Sequence, residues 1–117
     1  MYQKLIIAGH VGQDPTMKFT PDGKAVTTFS VATSTRKDET VWFRVSVWGA
    51  QAETAEKYLH KGAKVLVEGR LQADAATGNP RVFERKDGTF GASYEVTADS
   101  FRFLSGKEDA ASEDVAF

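Results

Sequence analysis

The chain has 117 residues, 41% of them apolar and 11% aromatic, which suffices for the core of one small domain and leaves no room for a second. It holds no cysteine, so disulfides, thiolate zinc sites and cysteine nucleophiles are excluded, as suits a reducing compartment. The formal charge of −1 hides an asymmetry: residues 1–106 carry fourteen Lys/Arg against twelve Asp/Glu, whereas residues 107–117 carry one lysine against four acids. The body is thus weakly basic and the end acidic, and a weakly basic body binds phosphate when its cations share one face.

Residues 5–8 (LIIA) open a strand, an apolar run too short for a signal sequence or a membrane span, so a soluble cytoplasmic protein is expected. Gly9, Gly12 and the Asp14-Pro15 pair interrupt that strand as a bulge and a turn. Pro21, Asp22 and Gly23 make a strong turn signal between residues 17–19 and a second strand at residues 25–34. In that strand Thr27, Phe29, Val31 and Thr33 alternate with Val26, Thr28, Ser30 and Ala32, and the first set makes the better core side. Arg36, Lys37, Asp38 and Glu39 form a short charged connection, the basic tip of a hairpin that leads to a third strand at residues 40–48.

That third strand reads TVWFRVSVW. Alternation puts Trp42, Arg44, Ser46 and Trp48 on one side and Phe43, Val45 and Val47 on the other. An ordinary half-buried strand turns its large aromatics inward with its valines, yet here both indoles side with the arginine and the serine. Flat rings that stack on nucleobases, beside a cation that meets phosphate, suit single-stranded nucleic acid. For an isolated pair of tryptophans the competing reading, that one lies in a subunit interface or under a loop, has equal standing.

Residues 49–60 hold helix formers, early acids, and Ala52, Ala55, Tyr58 and Leu59 at helical spacing before Lys61 and Gly62 stop the run. Residues 63–71 alternate as a fourth strand with Gly69 marking a bend. Residues 74–91, punctuated by Gly78, Pro80, Gly88 and Gly91, read as a long hairpin or loop around Arg81, Phe83, Arg85, Lys86 and Phe90. Residues 92–104 supply the last strand, and from residue 105 the polar, Ala/Ser/acidic composition predicts disorder.

Three strands, a helix and two strands is the order of an OB-fold, an all-β, five-stranded Greek-key barrel with one helix between strands three and four. The domain is expected at residues 1–105 and a short flexible acidic tail at residues 106–117. In that fold the face of strands two and three, with the loops joining strands one to two and four to five, receives oligonucleotides. His10 and His60 stand apart from any clustered carboxylates, so neither a metal nor a cofactor is expected. Gly9 and Gly12 lack the lysine of a phosphate loop, and no enzymatic activity is expected. Lys24, Lys57 and Lys64 read as solvated surface.

Six segments, QKLIIAGHVGQDP at residues 3–15, FTPDG at 19–23, VATS at 31–34, TVWFRV at 40–45, YLHKG at 58–62 and VEGRL at 67–71, follow one another in a register that spans nearly all of residues 3–104. In these segments the chain resembles the bacterial single-stranded DNA-binding proteins of replication. The resemblance implies a homotetramer that wraps single-stranded DNA without strong sequence preference, protects it, and serves DNA replication, recombination and repair on the bacterial nucleoid. Trp42 matches the family's stacking tryptophan, and Trp48 stands where a stacking phenylalanine is usual. Lys4, Lys18, Arg44 and Lys61 match basic positions that approach the backbone, and Phe19, Arg36, Lys37 and Arg70 complete the candidate set on the body.

Better known members carry further tryptophans near the end of strand two and after strand four, where this chain reads TRKDE (35–39) and LQADAA (71–76). Phe83 and Phe90, with Arg81, Arg85 and Lys86 around them, are the candidates to replace that stacking and charge. Phe43 stands where a histidine is common at a subunit contact. The ending Glu113, Asp114, Val115, Ala116 and Phe117 resembles the acidic tip through which such proteins recruit replication and repair enzymes. Ala116 replaces a usual proline and the long Gly/Gln/Pro-rich linker is missing, so weaker partner binding and shorter reach are expected. Simple solubility is the plainer role for such a tail. Two rival classes remain: a primosome-type docking subunit with its aromatics buried between protomers, and an RNA-binding cold-shock module, whose fold lacks this helix.

Overall fold

Runs rich in β-branched residues become the strands of this chain, in a computed structural model that describes residues 2–104. The elements are β1 (Leu5–Val11), β2 (Thr16–Phe19), β3 (Ala25–Arg36), β4 (Glu39–Trp48), α1 (Ala50–Tyr58), β5 (Lys64–Leu71), β6 (Val82–Glu84), β7 (Phe90–Ala92) and β8 (Tyr94–Phe103). One sheet runs β1-β5-β8-β4-β3-β2, and pairing of His10 and Val11 with Ala32 and Val31 joins β1 back to β3. The β4–β8 pair is parallel and the other neighbours antiparallel. β1 and β2 are the two halves of the expected first strand, so the architecture is the five-stranded OB barrel with α1 between its third and fourth strands.

Closure demands two close backbone approaches. A Cβ on Gly9 would lie 2.1 Å from the Ala32 carbonyl oxygen, and one on Gly69 would lie 2.1 Å from the Thr97 carbonyl oxygen. Gly69 also sits at a register shift between β5 and β8, the bend expected there.

Inside the barrel Val31, Val45, Val47, Val65, Val67 and Val96 are fully buried around Phe29. At about 1.5–3 kcal/mol for each fully buried valine, this layer is the main stabiliser. Thr27 lies among them, and its buried Oγ1 donates to the Ala52 carbonyl at 2.6 Å, which ties α1 to β3 and leaves no unpaired hydroxyl in the core. Helix α1 closes this end with Ala52 and Ala55.

Three boundaries differ from expectation. The helix ends at Tyr58, not His60, because Leu59 turns extended and drops into the core while its N–H still donates to the Ala55 carbonyl at 2.9 Å. Tyr58 therefore stays exposed at the rim, edge-on to Phe103. β3 and β4 run on as a projecting ribbon, so their charged residues meet water and only residues 37 and 38 make the turn. β7 takes residues 90–92, and the last strand begins at Tyr94. The expected tail, with Glu113, Asp114, Val115, Ala116 and Phe117, lies outside the described residues. Among the described residues no helix is long and apolar enough to cross a membrane.

Candidate nucleic-acid interface

Directly paired residues of adjacent strands share a face. The register therefore sets Trp42 beside Ala32, Arg44 beside Ser30, Ser46 beside Thr28 and Thr16, and Trp48 beside Val26 and Lys18. The opposite side of the same strands is the valine core, so the core dictates where the indoles point; a slip of one residue would exchange them. Trp42 is 52% and Trp48 43% exposed. Six residues of strand separate them by ~20 Å at ~3.3 Å per residue, with Arg44 between, so they reach different bases of an extended strand.

Trp42 has a seat that sequence reasoning missed. Gly12 follows β1, and its N–H donates to the Ser30 carbonyl at 2.9 Å. A Cβ on Gly12 would lie 2.5 Å from Cζ3 and 2.9 Å from Cη2 of Trp42. The indole rests on bare backbone on one side and is open on the other. In the sequence Gly12 signals only a bulge, because no local pattern reports which ring will cross it.

The long loop adds a second sheet, in which Val82, Phe83 and Glu84 of β6 pair with Ala92, Gly91 and Phe90 of β7. Phe83 and Gly91 share one side, and the Arg85 guanidinium lies 5.5 Å from the Phe83 ring centroid. Its Nη1 donates to the Phe90 carbonyl at 2.7 Å and to Thr89 Oγ1 at 3.3 Å. At the turn, Asp87 accepts hydrogen bonds from the Thr89 hydroxyl at 2.7 Å and the Thr89 N–H at 3.0 Å. Those bonds, the hydroxyl's foremost, hold the Asp87 carboxyl below the ordinary aspartate range.

Phe83, Trp42, Arg44, Lys18 and Ser30 border one concavity of about 590 Å³. The fold thus brings four of the sequence candidates, from three separate parts of the chain, to one place. Lys61 does not line the concavity itself, but its backbone N–H donates at 2.8 Å to the carboxylate of Asp14, which does.

Other candidates stand elsewhere. Phe90 shares the Glu84 side of the hairpin, opposite Phe83. Phe19 pairs with Ala25, and alternation turns it to the side of β2 opposite Lys18. Arg36 and Lys37 occupy the tip of the β3–β4 ribbon, Arg36 paired with Glu39. Lys4 and Arg70 line a separate concavity of about 1000 Å³ with Tyr2, Leu71 and Asp99. There Lys4 Nζ lies 3.2 Å from Glu68, whose hydrogen bond and charge raise the lysine's pKa, and Arg70 Nε lies 3.9 Å from Asp99. Thr97, the β8 partner of Ser46, lines this second concavity, so a row of hydroxyls connects the two. Among the described residues no group of three His, Asp or Glu side chains is placed to hold a metal ion.

The sequence model described as the Single-strand binding protein family matches residues 2–104. Relatives named single-stranded DNA-binding protein include one from Clostridium tetani, 39% identical over 107 residues, which cover 86% of this chain and 69% of the relative. One from Xylella fastidiosa is 37% identical over 114 residues, 91% of this chain and 65% of its own length. One from Neisseria meningitidis serogroup A is 34% identical over 114 residues, 91% of this chain and 62% of its own. The chain therefore spans just under two thirds of the Xylella and Neisseria proteins.

Proposed function

This chain belongs to the single-strand binding protein family, and on that premise we propose that its Trp42 face binds single-stranded DNA irrespective of sequence and covers it during replication, recombination and repair. The observation that carries the reading is the pair of half-exposed indoles on one face with Arg44 and Lys18, while the valines of the same strand fill the core. Trp42, Trp48 and Phe83 stack on bases; Arg44, Lys18 and Lys61 meet phosphates. Stacking uses the faces of bases, which every base has and a duplex hides, so binding is indifferent to sequence and selective for single strands with no catalytic step. Each stacked base contributes ~1–3 kcal/mol, and each phosphate neutralised steepens the salt dependence by about 0.7 in the log–log slope.

The assembly is read as a homotetramer of cytoplasmic subunits. In support, β1 pairs with β3 only through His10 and Val11, so one backbone edge of its earlier residues is open to a strand from another copy. The acidic ending at residues 113–117 is read as the recruiting tip for replication and repair proteins, on the family resemblance.

Titration of intrinsic tryptophan fluorescence with oligo-dT, at low and moderate salt and with duplex as control, tests the reading. Saturable quenching by dT that weakens with salt is expected. Unchanged fluorescence without binding overturns it in favour of a docking role.

A further inference from the structure

An acid stands in the middle of this basic, aromatic face. Glu95 of β8 is the parallel register partner of Arg44, its side chain is only 12% exposed, and its Oε2 lies 3.7 Å from Nε of Arg81. A carboxylate there repels phosphate, so its presence calls for a role other than DNA contact.

The β6–β7 hairpin supplies that role. It pairs with no strand of the barrel sheet. A two-stranded hairpin is at best marginal by itself. On one side it continues through the single residue Ser93 into β8, and on the other it is reached by the long segment after β5. Arg85, whose guanidinium lies by the Phe83 ring, is engaged within the hairpin. Arg81, immediately before β6, instead reaches out to β8.

We propose that the Arg81–Glu95 ion pair is a latch that holds the hairpin against the Trp42 face, so that Phe83 is offered to a base; Glu95 is a positioning residue that acts through Arg81. The proposal rests on the reading of that face as the single-strand site. It separates two effects of removing the charge. If Glu95 were an electrostatic bystander, Glu95→Gln would tighten DNA binding and leave the contribution of Phe83 intact. As a latch, its loss disconnects Phe83.

The test is a double-mutant cycle on the full chain, read by anisotropy of labelled oligo-dT. Phe83→Ala is expected to weaken wild-type binding about tenfold, the scale of one lost stack, and to cost less than about twofold in Glu95→Gln. Arg81→Gln, at a half-exposed position that the barrel does not need, is expected to behave as Glu95→Gln. Arg81→Lys, which keeps the charge, is expected to preserve most of the Phe83 effect. Backbone order parameters of residues 82–92 in the DNA-free protein are expected to fall in Glu95→Gln and not in Arg81→Lys. Equal cost of Phe83→Ala in the wild-type and Glu95→Gln backgrounds, or no cost in either while dT still binds, overturns the latch alone. Absence of dT binding by the wild-type chain overturns the single-strand reading and the latch with it.

Discussion

Trp42 and Phe83 border the same concavity and are held in different ways. Trp42 belongs to a strand paired on both sides, by β3 and β8, whose valines are locked in the core, and its ring lies on Gly12. Phe83, as half-exposed as the indoles, belongs to a two-stranded sheet whose Val82 and Phe90 remain largely exposed, so polar bonds from Arg85, Asp87 and Arg81 do the holding. The barrel platform exists before any ligand arrives. The hairpin, held by exposed polar bonds, opens more readily than the barrel, which reduces what its stack contributes.

The largest effect is expected at the platform. Trp42→Ala and Trp48→Ala each remove a stack worth ~1–3 kcal/mol, and ~20 Å of separation makes them nearly additive. The double variant is expected to bind labelled oligo-dT at least about 30-fold more weakly while melting close to wild type, since both side chains are half exposed. Wild-type affinity in that variant would end the platform argument.

Gly12→Val tests the seat alone. The added Cβ must displace the indole, and about a 30-fold loss of affinity, ~2 kcal/mol, is expected together with a shift in Trp emission. An unchanged emission spectrum would show that the ring does not depend on the glycine. Phe83→Ala comes next at about tenfold, the lower part of the stacking range, because the hairpin that carries it is held less firmly than the barrel.

The smallest effect is expected from acid. With its folded pKa held below the ordinary value, the Asp87 carboxylate adds stability that is present above that ordinary value and lost as pH falls through the depressed one. Below the usual aspartate range the hairpin turn should loosen while the barrel persists. A lower protection factor of the Thr89 amide, its exchange rate taken relative to the intrinsic rate at each pH, without loss of barrel signals is the observable; a protection factor indifferent to acid would remove Asp87 from the account.

The strand carrying the tryptophans was legible because its period of two is written in nine consecutive residues, and the core then had no choice of side. Phe19 and Lys18 are both candidates by sequence, yet as neighbours on β2 they point to opposite sides. Lys4 and Arg70 are candidate DNA contacts by sequence, and their acidic partners Glu68 and Asp99 are supplied by β5 and β8, invisible until the strands pair. Phe83 and Phe90 looked equivalent, and only the hairpin register sends the first toward Trp42 and the second away.

Sequence alone determined the order of strands and helix, the valine face, the indole face and the family resemblance, since each depends on local period, turn chemistry or segment identity. Tertiary structure decided that Gly12 lies under Trp42, that Phe83 closes the same concavity and that Glu95 stands between Arg44 and Arg81. Those are contacts between residues far apart in the chain. They are set by strand register and barrel closure, which no local pattern encodes.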